Sequence, residues 1–503
     1  MSTSPEVTSG AAPPNPPDEP IRGRVVRASM WSIGAYGASQ IIRFGSNLVL
    51  TRLLFPEAFG LNALVLTFLL GLQMFADIGT GPAIIQSAHG DDERFLNTAW
   101  TLQCIRGTAL FLGYCAIAKP LSLFYGQPML SVLLPVAGIG AVLDGFGATS
   151  VQVAQRHLRP QWQALIELST QLANIVTIMT LATVFRSYFR EHHLMSVWSI
   201  VAGGLASELT RLFLSHKVLP GIRHRFMLDP EARKLLGKTG RWVFLSTALM
   251  FLASQADRLM LGKKIPLELL GVYGIALALG NLPTQGVQRL AGSVLFPAYS
   301  RIVHRPDFKK AYLKVRYPLL LGGAAAVSGF IACGPPLIRL LYDKRYQDAG
   351  WILQFLAVAS WFQILEAINN PALLAFGRFG WLVVNNVTKL ASFVAFVPLG
   401  FHLGGLRGAL LGLALSDVMK YFASQIGIAA RGLHSVGRDA LTSLVVACVA
   451  ALAIWIGAAL GARTGNNLVR LLASGFVVVA IWGTAGLVYW RRARDPSGQA
   501  VPA

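Results

Sequence analysis

Charge is the first thing this sequence lacks. Only 13% of its 503 residues are Asp, Glu, Lys or Arg, about half the roughly 25% of soluble globular chains. Acidic residues are the scarcer kind, 23 against 44 Lys and Arg, which leaves a formal net charge of +21. Cysteine is nearly absent too. Cys104, Cys115, Cys333 and Cys448 all fall inside apolar runs without paired spacing, which excludes a disulfide framework or a thiolate metal site and predicts buried free thiols. No Gly-x-x-x-x-Gly-Lys-Ser/Thr run occurs, so the sequence carries no ATPase signature of its own. Long hydrophilic stretches between apolar runs are missing, which leaves no room for a large catalytic domain outside them. His89-Gly90-Asp91-Asp92-Glu93 looks superficially like an acidic metal motif, but it sits in a loop of about a dozen residues and reads as solvated. His192-His193 has no third ligand nearby. Residues 1–20 have neither the basic start nor the apolar stretch of a signal peptide, and are expected to form a disordered tail.

What is abundant is apolar sequence. Hydrophobic residues make up 54% of the chain and the mean hydropathy is +0.54. Runs of about 20 apolar residues, the length that crosses a hydrocarbon core, recur from 28–51 to 468–490. They predict an all-α polytopic membrane protein of about 14 transmembrane helices. The basic pI of 10.3 does not point to nucleic acid, because the Lys and Arg cluster in short loops, where they orient spans. A cytoplasmic N-terminus gathers Arg22, Arg24, Arg27, Arg156, Arg159, the 223–241 and 301–316 groups, Arg491, Arg492 and Arg494 on the inside, and puts both termini there. The expected organisation is a disordered cytoplasmic tail (1–27), an N-lobe of spans 1–6 (28–218) and a basic cytoplasmic linker (219–241). A C-lobe of spans 7–12 (242–430), spans 13–14 (439–490) and a cytoplasmic tail (491–503) follow.

The two halves echo one another. Pro56 matches Pro266 and Gly60 matches Gly271, an offset of 210 or 211 residues. An even number of spans per repeat preserves topology, so two six-helix lobes related by a pseudo-two-fold axis, plus two C-terminal helices, are predicted.

Charges inside the spans point to function, since each must face protein or water. Glu208 with Arg211 and Asp417 with Lys420 have the three-residue spacing of same-face pairs. Asp77, Glu167, Arg211 and Arg258 lie near span ends, where they can snorkel. Arg43, Arg106, Arg289 and Lys389 lie deeper without a partner on their own helix, and are the candidate lining of a cationic cavity. Glu366 and Asp257 are the candidates for ion coupling; an interhelical partner for an arginine explains Glu366 equally well. Amides within spans, Gln103, Gln171 and Asn174 among them, fit either helix packing or sugar hydroxyls. Breaks at Asn281-Leu282-Pro283 and Asn370-Pro371 are expected as hinges.

The run from Trp31 to Gln86, with Arg52, Pro56-Glu57, Phe59-Gly60 and Phe75-Ala76-Asp77-Ile78-Gly79, resembles the opening of bacterial polysaccharide exporters. These are the Wzx-like oligosaccharide flippases of the multidrug/oligosaccharidyl-lipid/polysaccharide superfamily. Asp257-Arg258, Leu270-Gly271-Val272-Tyr273 and Phe296-Pro297-Ala298-Tyr299-Ser300 resemble the same family in the second half. The resemblance spans most of 28–430 and weakens over the last two spans. It implies two lobes around a cavity that opens alternately to either side of the inner membrane. The implied substrate is an oligosaccharide repeat unit on undecaprenyl diphosphate, for exopolysaccharide, capsule or O-antigen synthesis. Guanidinium forks suit a diphosphate, which agrees with Arg43, Arg106, Arg289 and Lys389. The implied partners are lipid-linked oligosaccharide, membrane lipid, and polysaccharide polymerase and export machinery, with no cofactor, metal or enzymatic activity. A multidrug antiporter or a peptidoglycan-precursor flippase of the superfamily, and a polysaccharide polymerase or ligase, are the alternatives. An antiporter of organic cations would favour carboxylates in its cavity, and a polymerase or ligase a large outer loop.

Overall fold

The computed structural model describes residues 21–76, 79–87, 89–157, 160–218, 224–306, 308–378, 380–433 and 435–494. The tail at 1–20, residues 495–503, Asp77, Arg159 and Arg223 lie outside them. In a hydrocarbon core every backbone N–H and C=O must be satisfied within the segment. The apolar runs accordingly fold as helices, with no strand among the described residues. The chain divides into two compact units, one reaching to Leu53 and resuming over Phe68–Leu245, the other made of Leu54–Thr67 and Ser246–Ala503.

The first unit contains α1 (Ile21–Leu53), the end of α2 (Pro56–Phe75), α3 (Thr80–Gln86), α4 (Glu93–Tyr125), α5 (Leu130–Gly145) and α6 (Ser150–Arg156). It continues with α7 (Pro160–Val184), α8 (Arg186–Glu191) and α9 (Val197–Lys217), then enters α10 (Pro230–Lys264). Helix α4 packs on α5, α7 on α9 and α1 on α7. The second unit holds the start of α2, the rest of α10, α11 (Leu267–Gly280), α12 (Leu282–Leu290) and α13 (Phe296–Ile302). Helices α14 (Phe308–Leu341), α15 (Ala349–Ala375), α16 (Gly380–Ala429), α17 (Val436–Thr464) and α18 (Asn467–Arg494) complete it. Helix α15 is its central element, burying Trp361, Ile364, Leu365 and Ile368 against Tyr312, Ala324 and Val327 of α14.

Among the described residues, ten helices are long and apolar enough to cross a membrane, and the pair α5–α6, bent by 58°, makes an eleventh. One of the ten, α16, is two crossings. Its helix breaks at Gly404 and Gly405, and Gly405 takes φ of 57°, a left-handed conformation that glycine reaches without a Cβ penalty. The 33-residue α1 and 35-residue α10 have the length of a crossing but are less apolar than the ten; counted in, they bring the described residues to the expected number of about fourteen. Outward faces are apolar, as at Trp455, Phe476 and Val479, each about 70% exposed. This is a multi-pass membrane protein.

Local structure departs from expectation in several places. The break at Asn281-Leu282-Pro283 is real, separating α11 from α12, but Pro371 sits inside the last turns of an uninterrupted α15. Its missing N–H leaves the carbonyl of Ala367 without its i+4 donor, a loss that membrane helices tolerate where neighbouring groups and local adjustment re-satisfy the freed backbone. The thiols are free, yet only Cys104 is buried; Cys333 is half-buried, and Cys115 and Cys448 are exposed. The loop at Asp91 is pinned rather than simply solvated: Arg156 Nε (3.0 Å) and His157 Nε2 (2.9 Å) both reach its carboxylate. Arg156 Nη1 also donates to the carbonyls of Ile84, Ile85 and Ser87, capping the end of α3.

The matched Pro–Gly segments meet directly within the second unit. A Cβ on Gly60 would overlap the carbonyl of Leu267, and one on Gly271 would overlap the carbonyl of Pro56. An offset of 211 converts each half of the contact into the other. Around it, Tyr346 Oη donates to Leu54 O at 3.3 Å, Phe59 meets the Tyr346 ring edge-on, and the Arg345 guanidinium lies 4.8 Å over Phe55.

The linker after α9 is strapped along α4. Backbone N–H groups of Arg225, Met227 and Asp229 donate to Asn97 Oδ1 (2.9 Å), Thr101 Oγ1 (3.0 Å) and Thr98 Oγ1 (3.1 Å). The alternation is that of extended backbone. His224 stacks on Trp100, centroids 5.2 Å apart, and Phe226 packs on the same ring. Burial, with His216 close by, pushes His224 down to about 4. The folded strap therefore holds a neutral ring at full strength above the ordinary value of 6.5 and weakens as pH falls from there toward 4. Hydrogen exchange of 224–229, corrected for intrinsic rates, should rise at pH 5 relative to pH 7, and His224→Phe should flatten the rise. Equal protection at both pH values would show that His224 does not govern the strap.

Candidate functional site: two polar cavities

Each unit encloses a polar cavity. That of the first unit, about 800 Å3, lies among α1, α4, α5, α7 and α9 and is lined by Arg43, Arg106, Asp144, Glu167 and Arg211 together with amides and hydroxyls. Arg106 Nη2 meets Asp144 Oδ2 at 3.4 Å, and Arg211 meets Glu208 at 3.5 Å on the same helix. Helices α1 and α7 are clamped by Ser39 and Gln171, with Oγ donating to Oε1 at 2.9 Å and Nε2 returning to the Ser39 carbonyl at 3.0 Å. Ser39 Oγ lies 3.5 Å from Glu167 Oε1. Arg43 has no ion-pair or hydrogen-bond partner for its guanidinium among the described residues. The buried amide oxygens of Gln152 and Asn174 likewise receive no donor there.

The second unit's cavity, about 500 Å3, is lined by Asp257, Arg258, Glu366, Lys389 and Lys420 with Gln255, Asn281, Gln285, Gln288 and Asn386. Its charges interlock. Lys389 Nζ lies 2.8 Å from Asp417 Oδ1, with Asp417 fully buried, and Gln363 Nε2 donates to the other carboxylate oxygen at 2.9 Å. Lys420 Nζ lies 3.3 Å from Glu366 Oε1, which also accepts from Asn370 Nδ2 at 2.8 Å. Tyr273 Oη donates to Asp257. Arg258 donates to Gln255 Oε1 at 3.1 Å.

The structure therefore brings Arg43 and Arg106 into one cavity, and Lys389, Asp257 and Glu366 into the other. Arg289 is exposed on α12 and lines neither. Asp417 and Lys420 are not partnered with each other, as their spacing allows. The reversal at Gly405 lays the two arms of α16 together, so that Asp417 meets Lys389 from the preceding arm while Lys420 reaches Glu366 on α15. Arg211 and Arg258, which sequence reasoning sends to the span ends, line the cavities instead. Setting cations against carboxylates half by half would have exposed the balance. Each unit holds three of either sign in or beside its cavity: Arg43, Arg106 and Arg211 with Asp144, Glu167 and Glu208, and Arg258, Lys389 and Lys420 with Asp257, Glu366 and Asp417.

More than ten apolar helices of membrane-crossing length among the described residues, with a polar cavity in each of two units, define a multi-pass membrane protein of transporter fold. The family model described as polysaccharide biosynthesis protein matches residues 49–350, and the chain belongs to that family. It is 22% identical over 404 residues to the succinoglycan biosynthesis transport protein ExoT of Rhizobium meliloti (strain 1021), covering 73% of this chain and 79% of that one. It is also 22% identical over 437 residues to the lipopolysaccharide biosynthesis protein WzxC of Escherichia coli (strain K12), covering 84% and 85%. Among solved structures, the inward closed conformation of the lipid II flippase MurJ superposes with a TM-score of 0.67 at 13% identity, over 91% of this chain and 100% of that one. An inward-facing multidrug resistance transporter of the MATE family gives 0.59 at 17% identity, over 79% and 94%.

Proposed function

We propose that the chain is a flippase that moves undecaprenyl-diphosphate-linked oligosaccharide repeat units from the cytoplasmic to the periplasmic leaflet of the bacterial inner membrane, both termini being cytoplasmic. The observation that carries this reading is the first unit's cavity. It offers a guanidinium without an ion-pair or hydrogen-bond partner among the described residues, Arg43, in one lining with amide oxygens without donors, Gln152 and Asn174. A guanidinium fork matches phosphate oxygens, and sugar hydroxyls supply the donors that buried amide oxygens need. The other deep cations have carboxylate or amide partners, so Arg106 and Lys389 act first as struts, and the cavity is locally rather than uniformly cationic. The polyprenyl tail stays in lipid while the head group passes by rocking of an N-lobe (28–218) against a C-lobe (242–430), with the helices at 439–490 as an addition. Asp257 and Glu366 are where an ion gradient would couple, by competing with Tyr273 and Lys420 for the carboxylates. No covalent step is needed, and polymerase and export machinery would receive the product.

The test is lipid-linked sugar analysis in a deletion strain, with sidedness read by a membrane-impermeant glycosidase. Complete repeat units should accumulate on the cytoplasmic face and clear when the wild-type gene returns. Repeat units that reach the periplasmic face but stay unpolymerised would overturn the reading and favour a polymerase or ligase.

A further inference from the structure

Part of the first unit's cavity is walled by two short helices. Thr80 and Gly81 of α3 and Val151, Gln152 and Gln155 of α6 line it. Each helix follows a break. Gly79, at φ of 70°, precedes α3, and α6 leaves α5 at 58°. The two are secured differently. The start of α6 is fastened to α9: Ala148 N donates to Ser215 Oγ (3.2 Å), Ser150 Oγ donates to the Ser215 carbonyl (3.1 Å), and His216 Nε2 lies 2.9 Å from the Phe146 carbonyl. Helix α3 meets α4 through Gln103 Nε2, 3.3 Å from Thr80 Oγ1, and through Ile84 in a small apolar cluster with Phe95, Leu96 and Ala99, against which Val153 of α6 also packs. The polar tie between α3 and α6 is one guanidinium. Arg156 Nη1 donates to the carbonyls of Ile84 and Ile85 at 3.1 Å each and to that of Ser87, while Nε donates to Asp91 at 3.0 Å.

We propose that the seam between α3 and α6 is a gate into this cavity, with α3 the moving leaf, α6 the fixed post and Arg156 the latch. The seam is shut in the structure: a Cβ on Gly81 would stand 4.0 Å from Gln152 Cγ, which leaves no room for a solute between the leaves. It is also the wall that parts most easily. The other walls pair long helices, α4 on α5, α1 on α7 and α7 on α9, and separating those would expose apolar surface over several turns. The latch is exchangeable. The last carbonyls of a helix lack an intrahelical donor, and water serves them once the guanidinium leaves. Arg156 and Asp91 are 22% and 48% exposed, so their ion pair is screened and weak. Both leaves present polar side chains inward, Thr80 on one and Gln152 and Gln155 on the other, so the opened seam is lined for a hydrated solute. The gate goes beyond the flippase reading, because it governs access to the cavity whatever the cavity carries.

The test is the labelling rate of a thiol in the seam, read by mass spectrometry on the full chain in lipid nanodiscs with a bulky charged maleimide. The chain carries Gln152→Cys, with Cys115, Cys333 and Cys448 replaced by serine. Cys104, buried with its Sγ 3.4 Å from the Gly145 carbonyl between α4 and α5, stays as the internal control. Adding Arg156→Ala should speed labelling at position 152 by about tenfold, the effect of roughly one charge-assisted hydrogen bond, and leave Cys104 silent. Arg156→Lys, which keeps the charge but not the fork, should fall between. Asp91→Asn should raise the rate less than Arg156→Ala does, because the bonds to the α3 carbonyls remain. The proposal is overturned if position 152 reacts at one rate in all four chains, or if Cys104 reacts in step with it, which would mean general loosening rather than a gate. The readout needs no transport, so it holds or fails separately from the flippase reading.

Discussion

Asp439→Ala should cost the protein about 3–5 kcal/mol of stability, the usual penalty for leaving one member of a buried ion pair uncompensated. Arg316 and Asp439 are each only 2% exposed, and their contact is 2.6 Å. The carboxylate also collects Tyr421, Gln425 and Ser435, while Arg316 Nη1 donates to Tyr312 Oη, which donates on to Asn369 at 2.9 Å. Helices α14, α16 and α17 thus meet at one carboxylate, with α15 tied in through Asn369 and Tyr312, and alanine strips Arg316, Tyr421, Gln425 and Ser435 of their acceptor. The double substitution Arg316→Met with Asp439→Leu should regain part of the loss, because it removes the unpaired buried charge of Arg316, while Tyr421, Gln425 and Ser435 still lack their acceptor. Thermal unfolding monitored by size-exclusion chromatography in detergent reads both. If Asp439→Ala melts with the wild type, the pair is not the anchor its geometry makes it.

Arg43→Ala should lower repeat-unit translocation by about a hundredfold or more with no loss of stability. Two charge-assisted hydrogen bonds to a phosphate contribute about 1.5–3 kcal/mol each, and every 1.4 kcal/mol is tenfold. Arg43→Lys keeps the charge but not the fork, and should recover part of the activity. Arg106→Ala should behave differently. It leaves Asp144 without its cation, so the variant should be destabilised, and Asp144→Asn should restore both folding and flux. Transport by reconstituted vesicles, read beside melting temperature, separates a ligand-binding arginine from a strut. An Arg43→Ala variant that transports normally would remove the main support for the substrate site.

The spans were legible in the sequence because hydrocarbon imposes one solution on an apolar run of about 20 residues. Basic loops were less faithful: α10 begins at Pro230 and α14 at Phe308, because Arg and Lys are good helix formers and carry each helix past the apolar run. Charge pairing was the least legible. Lys389 with Asp417 and Lys420 with Glu366 are tertiary contacts set by a helix reversal, and local spacing offered a different answer. Arg43 looked no different in sequence from Arg106; only the position of Asp144 on α5 separates them.

The crossing of Pro56–Gly60 with Leu267–Gly271 has a consequence for ancestry. Residue 56 touches 271 and residue 267 touches 60, the reciprocity of an isologous interface, in which one patch is complementary to itself. A half-length chain carrying a single copy of this segment already possesses a homodimer contact. Duplication and fusion would then need to invent no new surface at this point, and the two glycines would thereafter be constrained as a pair.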